Sequence, residues 1–146
     1  MYPSLLQKPV VPPEMSQMTG RGRGRILVVD DERAVREFIG AGLRAGGYGE
    51  VLYSSGGAGV PAMALSERPD LIIMDVMMPC GNGMRALRAL RACAATSNIP
   101  VIITTGFPVP TTEDRASGRI DGMLAKPFSV EELLAEVGRH MAQTRG

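Results

Sequence analysis

Leu71-Ile72-Ile73-Met74-Asp75-Val76-Met77-Met78-Pro79 is the stretch from which the rest of this chain can be read. Four apolar residues lead into one carboxylate, and three more lead to a proline. An unbroken apolar run of this length suits a strand buried on both faces, as in the middle of a parallel sheet. Such a strand gives a charge nothing to solvate it, so Asp75 is expected where the strand ends and the sheet opens. Pro79 has no N–H to offer a ladder and marks the loop beyond.

The same grammar recurs on either side. Ile26-Leu27-Val28-Val29 ends in Asp30-Asp31, and Val51-Leu52-Tyr53 runs into a glycine-rich turn. Pro100-Val101-Ile102-Ile103-Thr104-Thr105 is stopped by Gly106, and Met123-Leu124-Ala125 by Lys126-Pro127. Between these strands the period changes to that of helices. Val35, Phe38, Ile39 and Leu43 share one face between Glu32 and Ala45, and Gly46-Gly47 closes that helix. A weak helix follows to about Ser66, with Pro61 tolerable only in its first turn. Met84 to Cys93 reads as a helix whose Arg85, Arg88 and Arg91 are its solvated side. A short helix is expected near Thr111 to Ser117, delayed by Pro108 and Pro110. Ser129 with Glu132 is a capping box, and Val130, Leu133, Leu134, Val137 and Met141 line the last helix.

Five strands alternating with five helices predict an α/β fold: a doubly wound, five-stranded parallel sheet of flavodoxin-like order 2-1-3-4-5. The expected organisation is a disordered Pro/Gly/Arg tail over residues 1–24 and one domain over 25–144. A net charge of +1 argues for neither nucleic acid nor membrane as a partner. No apolar run approaches the roughly 20 residues of a membrane span, and a secretory signal core is lacking, so the expected location is cytoplasmic. Cys80 and Cys93 form no CxxC pair and fit free thiols. His140 is the only histidine, which argues against a His-based zinc site or a Ser-His-Asp triad. It lies in a basic helix end, where facing the last carbonyls is its expected role.

Right-handed crossovers put the carboxyl ends of all strands on one edge of the sheet, where α/β folds bind ligands. Asp30, Asp31, Asp75, Thr104, Thr105 and Lys126 all fall there. Three neighbouring carboxylates repel one another, and a hard divalent cation relieves that repulsion. A lysine and a hydroxyl beside them suit phosphate oxygens. This is equipment for phosphoryl transfer to a carboxylate.

From about Arg25 to Gln143 the chain resembles a response-regulator receiver domain of two-component signalling. The matching residues are Val28-Val29-Asp30-Asp31-Glu32, Pro69-Asp70 with Leu71 to Pro79, Gly83, Pro100 to Gly106, and Lys126-Pro127-Phe128. The resemblance implies that Asp75 is the phosphoacceptor, with Lys126 and Thr105 holding the phosphoryl group. Thr105 is favoured over Thr104 because the family's hydroxyl residue precedes a small one, here Gly106. It implies Mg²⁺ held by Asp31 directly, by Asp30 through water, by Asp75, and by the main-chain carbonyl of Met77. It also implies a cis Lys126-Pro127 bond and a histidine kinase or histidine phosphotransferase as partner. Met123 departs from the Tyr or Phe of many relatives. The resemblance further implies that Met77 and Phe107 flank the approach of water to the phosphorus; both are bulky and unable to orient a water, so autodephosphorylation is expected to be slow, and the module not an enzyme in the usual sense. No DNA-binding output segment is expected after the last helix. Two rival readings exist: a binding module whose acidic pocket is never phosphorylated, and a phosphatase of haloacid-dehalogenase type. The second wants an Asp two residues after its nucleophile, where this chain has Met77.

Overall fold

Each apolar run becomes a strand, as a computed structural model describing residues 24–78, 82–106 and 119–145 shows. The order is β1 (Arg25–Val29), α1 (Arg33–Ala45), β2 (Glu50–Ser54), α2 (Val60–Glu67), β3 (Leu71–Asp75), α3 (Asn82–Ala92), β4 (Val101–Thr105), β5 (Gly122–Ala125) and α4 (Val130–Arg145). The strands form one parallel sheet of order β2-β1-β3-β4-β5. Four of the five expected helices are among the described residues. The helix expected near Thr111 to Ser117, the tail up to Arg23, and Phe107 lie outside them.

Alternation along the strands sorts the core into two layers. Leu27, Val29, Ile72, Met74, Val101 and Ile103 pack against α2 and α3 through Val60, Ala64, Leu87 and Leu90. Ile26, Val28, Leu71, Ile73, Ile102 and Leu124 pack against α1 and α4 through Ile39, Leu43, Leu133, Val137 and Met141. All five residues of β3 are buried, as are all five of β4.

Helix ends follow the local chemistry. Gly47 takes the left-handed conformation (φ 98°) that ends α1, a backbone region open chiefly to glycine. At the start of α4 the Glu132 N–H donates to Ser129 Oγ at 3.0 Å, and the Ser129 N–H to Glu132 Oε1 at 2.8 Å, completing the capping box. Pro61 sits in the first turn of α2, where its missing N–H costs nothing.

Three side chains depart from the expected pattern. Arg85 and Arg88 are exposed, but Arg91 is not on a solvated side: its side chain is only 9% exposed. Its guanidinium donates to the carbonyls of Ser97, Ile99 and Arg119 and pairs with Asp121 at 2.8 Å, tying the α3–β4 loop to the start of β5. Those loop carbonyls have no ladder to join, and a five-donor fork satisfies several at once. Phe38, expected in the core, is 43% exposed and packs its ring 6.0 Å from Phe128.

His140 is buried and faces Glu136 (Nε2 to Oε2, 3.1 Å) rather than the last carbonyls of α4. Burial alone would raise the Glu136 carboxyl, but the bonds from His140 and Arg139 outweigh it, and its pKa falls below the ordinary value. A carboxylate depressed in this way adds stability above its unfolded pKa, and that stability is lost as pH falls through the folded value. Glu136→Gln is therefore expected to destabilise the fold at pH 7 by about 1 kcal/mol. The difference from the parent should shrink as pH falls below the ordinary glutamate range and vanish once pH lies below the lower, folded value. Urea titrations across that pH range check this.

Candidate functional site

Four polar side chains continue the α1/α4 face of the sheet past its carboxyl edge. Asp30 follows Ile26 and Val28 at the alternation of two, Asp75 follows Ile73, Thr104 follows Ile102, and Lys126 follows Leu124. Register keeps Asp30, Asp75 and Thr104 level, since Val29 pairs with Met74 and Asp75 with Thr104, while Lys126 stands two residues beyond Leu124, the partner of Thr104. The sequence order of apolar runs thus becomes a row of functional groups at one rim.

Lys126 joins the row. Its Nζ lies 3.0 Å from Asp30 Oδ2 and 3.1 Å from Asp75 Oδ2. The other oxygen of each carboxylate accepts a main-chain N–H: Asp30 Oδ1 from Glu32 at 2.9 Å, and Asp75 Oδ1 from Met77 at 2.8 Å. Both carboxylates are buried (Asp30 0% exposed, Asp75 3%), whereas Asp31 is exposed beside them. Arg36 of α1 donates to the main-chain oxygen of Asp30 at 2.7 Å and fixes the β1 end from the helix side.

Charge is unevenly balanced here. Burial is the strongest influence on Asp30 and raises its pKa, against the pull of the Glu32 N–H and of Lys126. The nearby Asp75 charge raises it further. Burial alone would lower the Lys126 pKa, but its bonds to Asp30 and Asp75 outweigh that and raise it. Carboxylate oxygens of Asp30, Asp31 and Asp75 lie within 4.8 Å of one another, with a single ammonium bonded between two of them. An all-oxygen, net-acidic donor set of this kind suits a hard divalent cation.

Of the residues singled out from sequence, Asp30, Asp31, Asp75 and Lys126 come together. Met77 joins them through its main chain, its side chain being 48% exposed. Thr105 is buried at the last position of β4, and its carbonyl accepts the Lys126 N–H at 2.7 Å. The Lys126-Pro127 bond is cis. Alternation from Ile102 also marks Thr104 as a neighbour of Asp75, although the sequence reading set it aside in favour of Thr105.

Gly83 supports the site from α3. A Cβ there would stand 2.6 Å from the Asp75 carbonyl oxygen and 2.7 Å from Val76 Cα, closer than backbone tolerates. Gly83→Ala is expected to push α3 off the β3 end and to cost about 1–3 kcal/mol. Chemical denaturation reads the loss, and amide shifts at Asp75 and Val76 should move with it.

This sheet order is that of signalling receiver modules, and the comparisons agree. Residues 26–138 match the model of the response regulator receiver domain family, so the chain belongs to that family. The response regulator MprA of Mycolicibacterium vanbaalenii is 37% identical over 127 residues, covering 82% of this chain and 51% of that protein. MprA of Mycobacterium avium is 37% identical over 128 residues, covering 83% of this chain and 52% of that protein. The chain therefore spans about half the length of these curated relatives. Among solved structures, the chemotaxis response regulator CheY4 of Vibrio cholerae superposes with a TM-score of 0.72 at 31% identity, covering 80% of this chain and 97% of that one. The receiver domain of the Francisella response regulator 1452 gives 0.69 at 28% identity, covering 83% and 98%. Receiver domains bind Mg²⁺ at an acidic pocket, and Asp30, Asp31 and Asp75 form an acidic cluster at the carboxyl edge of this sheet. Among the described residues no helix is long and apolar enough to cross a membrane.

Proposed function

We propose that this chain is a phosphoacceptor module of a two-component phosphorelay, with Asp75 as the residue that is phosphorylated. One observation carries the reading: Asp75 is a nearly buried carboxylate bracketed by the Met77 N–H and the Lys126 ammonium, inside an acidic cluster. A carboxylate oxygen of Asp75 attacks the phosphorus of a partner's phosphohistidine. The P–N bond breaks, the imidazole nitrogen leaves with its electron pair, and an acyl phosphate P–O bond forms. Asp31, Asp30, Asp75 and the Met77 carbonyl would hold Mg²⁺, which when bound offsets charge on the transferring phosphoryl group. Lys126 supplies a point charge for a phosphoryl oxygen, and Thr105 a hydroxyl for another. The partner is a histidine kinase or histidine phosphotransferase, and the place of action is the cytoplasm.

Intact mass after incubation with acetyl phosphate tests the reading. One phosphoryl adduct is expected with Mg²⁺, and none after chelation. Uptake indifferent to chelator would refute the metal assignment, and no uptake under any condition would favour a binding module with an unmodified pocket.

A further inference from the structure

Thr104 is 1% exposed, and its Oγ1 has no hydrogen-bond partner among the described residues. A hydroxyl buried without a partner is costly, and a native one calls for an explanation. Asp75 is the register partner of Thr104 on β3, and Leu124 on β5, with Lys126 two residues further on the same face. To reach Asp75 and Asp30, the Lys126 side chain must cross β4. Beyond the end of β4 the alternation falls on Gly106, which has no side chain, so Thr104 is the last side chain on the face of β4 that Lys126 must cross. A lysine ammonium has three N–H donors. Asp30 and Asp75 each take one.

We propose that Thr104 is a positioning residue for Lys126, its hydroxyl accepting a hydrogen bond from the ammonium when Asp75 carries a phosphoryl group. This rests on the phosphoacceptor reading above. Phosphorylation of Asp75, in which its carboxylate oxygen takes the phosphoryl group from the donor, converts the carboxylate charge that Lys126 pairs with into an acyl phosphate and places phosphoryl oxygens in front of the ammonium. The ammonium then turns to a phosphoryl oxygen while keeping Asp30, and the hydroxyl beneath it gains the partner that it lacks at rest. A group unsatisfied in one state and satisfied in the other shifts the balance toward the second. Thr104 therefore favours the phosphorylated arrangement without touching the phosphorus.

The test compares the parent, Thr104→Val and Thr104→Ser for phosphoryl uptake from acetyl phosphate with Mg²⁺, by intact mass, and for stability. Valine keeps the volume and removes the orphan hydroxyl, so Thr104→Val should be at least as stable as the parent. Its uptake should fall about tenfold, the equivalent of one hydrogen bond to a charged group, while Thr104→Ser keeps near-parental uptake. Packing alone predicts no such opposition between stability and uptake. An independent readout needs no variant: in the parent bound to Mg²⁺ and beryllofluoride, the Thr104 hydroxyl proton should exchange slowly and show a contact to the Lys126 side chain. Parental uptake in Thr104→Val, equal loss in Thr104→Ser, or a fast-exchanging hydroxyl would overturn the inference. No uptake by the parent would instead bring down the phosphoacceptor reading on which it rests.

Discussion

Asp75→Asn is expected to abolish phosphoryl uptake while leaving the fold as stable as the parent or more so. The amide keeps the shape and the bond from the Met77 N–H, but its oxygen is no nucleophile toward phosphorus. Stability should not fall, because the wild-type row holds Asp30 and Asp75 against one ammonium. Removing the Asp75 charge leaves Asp30 and Lys126 as a matched pair; burial remains the main influence raising Asp30, but the smaller contribution from Asp75 is gone. The urea midpoint in metal-free buffer is therefore expected to equal or exceed that of the parent. Intact mass and urea unfolding, run on the same preparation, check both halves. A variant that unfolds would show that Asp75 holds the fold rather than serving the site.

Lys126→Ala should change stability in the opposite sense. Without the ammonium, two buried carboxylates face each other uncompensated. Breaking a fully buried pair costs about 3–5 kcal/mol. The Lys126 side chain is 24% exposed, so screening reduces this to about 2 kcal/mol. Mg²⁺ should restore much of the loss, since a cation that binds only the folded state stabilises it by mass action. Metal affinity should not weaken, because the ammonium competes with a cation for Asp30 and Asp75 rather than assisting it. Thermal unfolding with and without Mg²⁺ provides the measurement. Equal destabilisation in both buffers would mean that the acidic cluster does not take the metal.

The opposite signs follow from features that the sequence makes visible. Apolar runs that end in a polar residue mark strand ends, and parallel topology sends those ends to one edge, so the nearness of Asp30, Asp75 and Lys126 is legible in the sequence alone. The capping box at Ser129 and the glycine close of α1 are local, and local signals survive folding unchanged. What sequence reading missed is non-local. Arg91 looked like a surface residue because nothing in its own helix says that loop carbonyls of Ser97, Ile99 and Arg119 will need its donors. His140 was assigned to its own helix end, but it is buried against Glu136 where α4 meets Gly122 of β5. Thr104 was recognised at the rim but set aside for Thr105, and it is the register, a non-local feature, that pairs Thr104 with Asp75.

The central claim is that Asp75, rather than another acidic residue of the cluster, receives the phosphoryl group. Borohydride reduces an acyl phosphate to an alcohol, converting a phosphorylated aspartate into homoserine. Protein incubated with acetyl phosphate and Mg²⁺, then reduced and digested, should carry homoserine at position 75 alone, as read by peptide mass spectrometry. Homoserine at Asp30 or Asp31, or its absence throughout despite an intact donor, would contradict the account.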